Sequence, residues 1–196
     1  MNVSRDAAND PNRIRIAGMD IVIRTGAAID ATPLAELAAR TFQETFAADN
    51  RPEDMALHLA RAYGTSQQER ELLDPDVTTL LVDVDGELTG YAQVRSGVVP
   101  ECVTGESPIE LWRFYVAQSW HGRGIAQALM RSIELEASRR GGRTLWLGVW
   151  EHNARAKAFY RKNGFEDVGS HVFMVGTDAQ TDRILARQLQ SIAQSR

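Results

Sequence analysis

The 196-residue sequence predicts a single α+β domain of mixed helix and sheet layers. Three observations carry this prediction. A strand-like run near the start is followed by helical stretches, Asp85-Gly86 marks a two-residue hairpin between two apolar runs, and the second half alternates strand, helix, strand, helix and strands. Because 43% of the residues are hydrophobic and 24% are charged, the chain has the composition of a globular protein with a buried core.

Hydrophobic periodicity and turn residues place each element in order. Residues 20–24 alternate and predict a strand, and Thr32 and Pro33 are expected to cap and start the helix that follows. The apolar face expected for that helix consists of Leu34, Leu37, Ala38, Thr41, Phe42 and Phe46. Further helices are expected over 52–63, 66–73, from the glycine-rich turn to about 140, and 153–163; strands are expected over 77–84, 87–96, 109–116, 144–150, 165–175 and 181–189.

Composition also excludes several classes of function. The net charge is −4, so no basic surface is expected to meet nucleic acid. A single cysteine, Cys102, excludes an internal disulfide framework and a Cys-cluster zinc site. Without a long apolar run or a signal peptide, we expect no membrane span and a cytoplasmic location. We expect a flexible extension over 1–18, with Met19 as an alternative natural start, a domain over 19–189 and a tail over 190–196.

The most informative segment follows the strand that ends at Val116. There the run His121-Gly122-Arg123-Gly124-Ile125-Ala126 leads directly into a long helix. The glycines allow a tight turn, and a helix start offers free N–H groups and a positive dipole end, which together suit a pyrophosphate. A dinucleotide loop would need a third glycine where Gln127 stands, and a P-loop would need Lys and Ser or Thr after Gly124. A turn whose glycines serve geometry alone is the alternative.

A second motif lies one crossover downstream, from Asn153 through Ala156, Phe159-Tyr160 and Gly164-Phe165. With the glycine-rich turn, it resembles the GNAT superfamily of acetyl-CoA-dependent N-acetyltransferases over about residues 20–189. The first motif departs from the family's acyl-CoA loop only where His121 stands for Gln or Arg. A weaker similarity to the bacterial spermidine/spermine acetyltransferase-like group rests on residues 112–116, 147–151, 171–173, Gly176, Asp178 and Gln180.

The resemblance implies a central, mostly antiparallel sheet in which the strands ending at Val116 and Trp150 splay around the pantetheine arm. It also implies that the main chain after Val116 holds the pyrophosphate and that Asn153 meets the arm or the acetyl end, besides capping its helix. The residues assigned in this way to acetyl-CoA are Phe114, Tyr115, Val116, Gly122, Arg123, Gly124, Ile125, Ala126, Gln127 and Asn153.

The resemblance makes Tyr160 the expected general acid. When an amine attacks the thioester, the thiolate of CoA must leave, and a phenol with a pKa near 10 can protonate a sulfur whose thiol has a pKa near 8.5. A purely structural aromatic residue beside Phe159 is the alternative for Tyr160.

A base is also needed, because an amine with a pKa near 10.4 is mostly protonated at neutral pH. Some family members carry a Glu at the position that is Gly148 here. Glu110 is the expected replacement, on one strand face with Trp112, Phe114 and Val116 by alternation, unless it is only a solvated residue of the strand end. Glu151 and Asp83 are weaker candidates.

The early helices are expected to bind the acceptor, through Phe42, Thr45 and Phe46 with carboxylates from Glu44 and Asp49, although a core stripe with a solvated acidic face is the alternative. The basic residues Arg155, Lys157, Arg161 and Lys162 either reach the 3′-phosphate of CoA or form a solvated helix face.

His121 and His152 lack metal-ligand spacing, so we expect no metal. Cys102 is expected to be incidental.

The predicted function is acetyl transfer from acetyl-CoA to a primary amine of a small, polyamine-like molecule, by direct attack in a ternary complex. Acetylation of protein N-termini or lysines is one alternative, although the Gly at 148 argues mildly against the ribosomal-protein type. An acyl-CoA sensor without turnover is another. A homodimer is expected by family analogy.

Overall fold

The computed structural model describes residues 13–190, and in this part of the chain it contains eight strands and five α-helices. The strands are β1 Arg13–Ile16, β2 Met19–Thr25, β3 Val77–Val84, β4 Glu87–Arg95, β5 Pro108–Val116, β6 Thr144–Trp150, β7 Glu166–Val175 and β8 Asp178–Gln188. The helices are α1 Ala31–Phe46, α2 Pro52–Ala62, α3 Thr65–Leu73, α4 Ile125–Arg139 and α5 Ala154–Lys162. The predicted α+β class is confirmed, and the predicted elements occur in the expected order, with β1 as an additional strand before them.

All eight described strands form one sheet in the order β1-β2-β3-β4-β5-β6-β8-β7. Neighbouring strands are antiparallel, with β5 and β6 as the parallel pair among the described strands. That pair is short, because it ends at Glu110 and Trp146. Beyond this point the strands diverge, and residues 111–116 keep β4 as a neighbour on one side while the other edge opens. The expected splay is therefore confirmed.

Two apolar clusters lie on opposite faces of the sheet. Helix α4 contributes Ile125, Leu129 and Ile133 to the first cluster, where they pack against Leu145, Leu147 and Val149 of β6. Helix α1 contributes Leu34, Leu37, Ala38 and Phe42 to the second, which covers Leu81 of β3 and Tyr91 of β4. A fully buried leucine such as Leu129 stabilises the fold substantially, since truncating one to alanine typically costs about 2–5 kcal/mol. No helix within residues 13–190 is long and apolar enough to cross a membrane.

The start of the described chain differs from the prediction. Arg13–Ile16 is a strand that pairs with β2, so the expectation of a flexible extension over 1–18 is wrong for these residues. Residues 1–12 and 191–196 lie outside the described part, and so does most of the expected tail. Helix α1 also begins earlier than expected: Asp30, at the end of a short 3₁₀ turn, is its N-cap instead of Thr32.

Strand β5 contains a bulge that the sequence does not reveal. Leu111 pairs with Val94 and Arg113 pairs with Gln93, so Trp112 is an extra residue between two consecutive pairs. A bulge puts two residues opposite one, and it therefore reverses the alternation of side chains along the strand. The Trp112 ring lies under two guanidinium groups, 3.8 Å from Arg95 and 4.1 Å from Arg113.

The bulge changes the face on which Glu110 lies. Leu111, Phe114 and Val116 all pack with the first cluster, towards α4. Because neighbouring residues of a strand point to opposite faces, Glu110 lies on the other face, towards α1–α3. The expectation that Glu110 shares a face with Phe114 and Val116 is therefore wrong, and the cause is the extra residue at Trp112.

Candidate active site

The glycine-rich turn has the geometry of an anion site. Gly122 and Gly124 have φ angles of +77° and +83°, in the left-handed region that glycine adopts without strain. Gly124 precedes α4, and the first helical hydrogen bond that it accepts comes from Ala128 N–H at 3.1 Å. The amides of residues 125–127 come before that bond and have no carbonyl one turn earlier in α4 to pair with. These donors, with the dipole of α4, suit a diphosphate.

His121 fastens this turn to the strands around it. Its Nε2 lies 2.8 Å from the Val116 carbonyl oxygen, and Arg155 Nη1 contacts its Nδ1. A guanidinium can only donate, so Nδ1 accepts and Nε2–H donates to Val116. His121 thus links the end of β5 to the first turn of α5, on both sides of the cleft described below. The sequence assigned no such role to this residue.

The residues expected to hold the pantetheine arm divide between the two faces. Phe114 lies on the α4 face, with its ring 5.5 Å from that of Phe159. The side chain of Tyr115 faces the second cluster and stacks on Tyr91 at 5.6 Å, which leaves only its main chain for the arm. The Gln127 side chain bonds to Asn163 Oδ1 at 2.8 Å and ties α4 to the end of α5.

Tyr160 is 7% exposed, and aromatic rings surround it. Its ring centroid lies 6.2 Å from that of Phe114 and 5.6 Å from those of Phe159 and Phe165. Burial alone raises its pKa well above the ordinary value for a phenol. Tyr160 therefore holds its proton throughout the neutral range, which is the state that an acid must start from.

A cleft of about 420 Å³ opens where the ends of β5 and β6 meet the C-terminal end of α1. It brings together Thr45, Val116 and Asn153, which the sequence placed in the acceptor or donor site. Asn153 also caps α5, as expected, by accepting a hydrogen bond from the Ala156 amide at 3.0 Å. The full lining consists of Glu44, Thr45, Asp49, Val116, Gln118, His121, Trp150, His152, Asn153, Ala154 and Arg155.

The two phenylalanines expected to bind the acceptor do not line this cleft. Phe42 is 3% exposed and belongs to the core, where its ring packs on His58 and Phe46. Phe46 lies behind the cleft wall, 5.9 Å from the ring of Trp150. The aromatic residue on the wall is therefore Trp150, and the role expected for Phe42 is wrong because α1 turns that residue towards the sheet.

Two carboxylates of the cleft lie on or near α1. Glu44 accepts a hydrogen bond from the Gln118 amide through Oε2 at 2.9 Å, which holds the end of α1 against the segment after β5. Asp49 follows α1 in a short 3₁₀ turn and is exposed. Both groups line the cleft, and together they give it a negative wall.

The candidate bases lie in different environments. The Oε2 atom of Glu110 accepts a hydrogen bond from Arg95 Nε at 2.5 Å. Asp83 is bound to Arg24 on the outer side of the sheet, where β3 pairs with β2, and so it lies away from the cleft. Glu151 is half-exposed, with an oxygen 3.8 Å from His152 Nε2.

His171 and Asp182, two residues outside the sequence-based list, lie beside Gly148. The Nε2 atom of His171 is 3.9 Å from Oδ2 of Asp182, and a Cβ at position 148 would lie 3.1 Å from the first atom and 3.3 Å from the second. No local motif joins these three residues, because the pairing of β6, β7 and β8 brings them together.

The basic residues expected to reach the 3′-phosphate of CoA divide into two pairs. Arg155 and Lys157 bond within the protein, to His121 and to the Glu151 carbonyl, while Arg161 and Lys162 are exposed on α5. Cys102 is a free thiol. Among residues 13–190, no cluster of three or more His, Cys, Asp or Glu side chains could hold a metal ion.

The parted strands, the glycine turn and the adjoining cleft define an enzyme class that binds a phosphorylated acyl carrier next to an open acceptor site. Residues 34–165 match the model of the acetyltransferase (GNAT) family. The chain belongs to this family and is an acetyltransferase with acetyl-CoA as its acyl donor. The donor fits the residues present, because unpaired amides follow Gly124 and one edge of β5 is free.

Relatives and solved structures agree with this assignment. An uncharacterized N-acetyltransferase in the pepI 3′ region of Lactobacillus delbrueckii subsp. lactis is 34% identical over 153 residues, which is 78% of this chain and 88% of the relative. The streptothricin acetyltransferase of Streptomyces lavendulae is 38% identical over 92 residues, 47% of this chain and 46% of the relative. The PaiA N-acetyltransferase of Thermoplasma acidophilum, solved with coenzyme A, shares the fold with a TM-score of 0.72 at 22% identity, over 86% of this chain and 98% of that one.

Proposed function

We propose that this protein acetylates a primary amine of a small, multiply cationic molecule, such as a polyamine or an antibiotic amine, by direct attack in a ternary complex. The observation that carries the proposal is the composition of the cleft. Glu44 and Asp49 supply carboxylates and Trp150 supplies an aromatic face, at the mouth of the divergence between β5 and β6. An ammonium group is attracted to both kinds of surface. A relative named for its acceptor, the streptothricin acetyltransferase, supports a small-molecule acceptor.

The donor side uses the main chain. The amides from Gly122 to Gln127 hold the diphosphate, and the open edge of β5 at Phe114 and Val116 offers N–H and C=O groups to the amides of the arm. When bound, acetyl-CoA supplies a thioester carbonyl that an amine can attack. Asn153, at the start of α5, lies on the cleft wall, where it can position this end of the donor.

The transfer needs two proton movements. The acceptor arrives as an ammonium ion, since its pKa is near 10.4, and loses one proton before it attacks. The nitrogen lone pair then forms the C–N bond, and the electrons of the C–S bond leave on sulfur. Tyr160 gives its phenol proton to that sulfur and recovers a proton from the nitrogen of the newly formed amide. The products are an N-acetyl amide and free thiol, with one proton released to solvent.

The buried position of Tyr160 suits this role. A phenol is a weaker acid than a thiol in water, so proton transfer to a solvated thiolate would be uphill. The surroundings of Tyr160 are aromatic and exclude water, and they destabilise a nearby thiolate as well as the phenolate. Proton transfer moves the charge from the sulfur to the phenol oxygen, and the proton that Tyr160 then takes from the acetylated nitrogen neutralises it, so no charge stays buried at Tyr160.

An acceptor screen tests the proposal. The full-length protein is incubated with acetyl-CoA and each of three acceptor sets: spermidine and other polyamines, antibiotic amines, and peptides with free N-termini or lysines; thiol release is followed. Preference for a small polyamine or antibiotic amine, reported as kcat/KM, supports the proposal. Preference for the peptides would show that the protein is a protein acetyltransferase. CoA binding without transfer to any amine would make it a sensor, and either result would overturn the proposal.

A further inference from the structure

The glycine at position 148 opens a space over the middle of β6. A side chain there would start 3.1 Å from His171 Nε2 and 3.3 Å from Asp182 Oδ2, which is tighter than ordinary contact. Glycine therefore lets side chains from β7 and β8 extend across β6. Gly148 lies two residues past Trp146, where β6 stops pairing with β5, so this space adjoins the gap between the diverging strands.

The strand register aligns this space with the cleft. Asp182 pairs with Trp150 on one side and with His171 on the other, so these three side chains lie on one face of the sheet. Trp150 lines the cleft, and Gly148 lies on the same face two residues earlier, about 7 Å along the strand. His171 Nε2 thus lies between the point where the strands part and the wall of the acceptor cleft. An amine held over Gly148 would therefore lie next to Nε2, as direct proton transfer requires.

The two side chains differ in exposure. The His171 side chain is 38% exposed, while that of Asp182 is 14% exposed and lies behind it. Burial raises the pKa of Asp182 to about 6, against the opposing effect of His171. At pH 7 and above Asp182 is therefore mostly ionised, and it places a negative charge beside the His171 ring.

Few other charges face this pair. Glu151, at the end of β6, also raises the pKa of Asp182. The neighbouring Arg183 points to the opposite face of β8, where it binds Asp167 with Nη2 2.6 Å from Oδ1. The charged neighbours named on this face, Asp182 and Glu151, are thus both carboxylates.

We propose that His171, with the carboxylate of Asp182 beside it, is the general base that removes the proton from the acceptor amine; this rests on the small-amine acceptor proposed above. The lone pair of Nε2 takes one proton from the ammonium ion, which leaves a neutral amine free to attack. The imidazolium then returns that proton to solvent through its exposed edge. The 3.9 Å separation between Nε2 and Asp182 Oδ2 exceeds a hydrogen bond, so the lone pair of Nε2 is not engaged by the carboxylate before it takes up the proton.

Glu110, the base expected from the sequence, is less suited. Its Oε2 atom already accepts a hydrogen bond from Arg95 Nε at 2.5 Å, and the side chain is 8% exposed. A base in this position would have to break the ion pair with Arg95 in each cycle. The contact of His171 Nε2 with Asp182 is longer, at 3.9 Å, and is not a hydrogen bond that has to break.

The test compares His171→Gln with the wild type, using the best small amine from the acceptor screen. We expect kcat/KM for the amine to fall about 100-fold or more at pH 7, with the Kd for CoA unchanged within about twofold. The deficit is expected to shrink as the pH approaches about 10, since the amine then loses its proton unaided. Val172→Gln, at the next residue of β7, whose side chain is exposed, is the matched control and is expected to retain wild-type rates.

Two further variants separate a base from a structural residue. Added imidazole is expected to restore activity to His171→Ala, because it replaces the missing base. Asp182→Asn is expected to lower the rate and to change how kcat/KM falls at low pH, near pH 6. If the His171 variants fail to fold, this variant tests the proposal in their place. Three results would overturn the proposal. They are a rate loss of equal size at every pH, no rescue of folded His171→Ala by imidazole, and the pH-dependent rate loss appearing in Glu110→Gln instead of His171→Gln. If the wild type acetylates no amine, the proposed function itself fails.

Discussion

Replacing Gly124 with alanine tests the anion site through the backbone. At this position φ is +83°, and a Cβ would meet only Ile16, with Cδ1 at 3.5 Å and Cγ2 at 3.6 Å. Those are ordinary van der Waals distances, so the substitution introduces no steric clash. The cost is therefore the left-handed backbone conformation, about 1–2 kcal/mol for a residue with a Cβ.

This strain is relieved if the turn rotates, but rotation moves the amides of residues 125–127 away from the diphosphate. Binding of CoA then has to return the turn to the strained conformation, which costs about 1–2 kcal/mol. Since 1.4 kcal/mol corresponds to a tenfold change, we expect CoA to bind about 5- to 30-fold more weakly.

Calorimetric titration with CoA measures this change directly. The matched control is Gly86→Ala in the β3–β4 hairpin, where φ is +88° and nothing lies within 4 Å of the added Cβ. This control carries the same backbone strain far from the turn. It is therefore expected to lower Tm about as much as Gly124→Ala does and to leave the affinity for CoA unchanged. If Gly124→Ala bound CoA with wild-type affinity, or if Gly86→Ala lost as much affinity, the turn before α4 would not be the diphosphate site.

Two further predictions concern catalysis and stability. Tyr160→Phe is expected to lower kcat about 100-fold or more while CoA binds as in the wild type, measured by thiol release and calorimetry; unchanged turnover would exclude Tyr160 as the acid. Asp54, at the start of α2, accepts hydrogen bonds from the amide and hydroxyl of Thr177 at 2.7 Å, and these contacts, with Arg51, lower its pKa. Because the folded pKa is lowered, the contribution of Asp54 to stability is present above about pH 4 and is lost as the pH falls through the folded value. Asp54→Asn is therefore expected to lower Tm at pH 7 by more than at pH 3; an equal deficit at both would contradict this.

Local chemistry explains which parts of the fold could be predicted from the sequence. The Asp85-Gly86 hairpin forms where expected because a two-residue turn depends on its own φ angles, both positive here. The turn at Gly124 and the cap at Asn153 are also local features, and each appears at its expected position. Strand β1 was missed although Arg13–Ile16 alternates strictly, because the run is only four residues long and its pairing with β2 defines the strand.

The acceptor side depends on register, which a single sequence does not reveal. The extra residue at Trp112 reverses the face of Glu110, although the residue pattern of β5 shows no sign of it. His171 and Asp182 meet over Gly148 only because β7 and β8 pair beside β6, with an irregularity near position 168. The absence of a side chain at Gly148 was visible in the sequence, but the residues that fill its space were not.

A crystal structure of the protein with CoA would show whether the turn between Gly122 and Gln127 binds the diphosphate. We expect the diphosphate oxygens to lie about 3 Å from the amide nitrogens between Gly122 and Gln127, with the arm in the gap between β5 and β6. A diphosphate bound elsewhere, with this turn left empty, would contradict it.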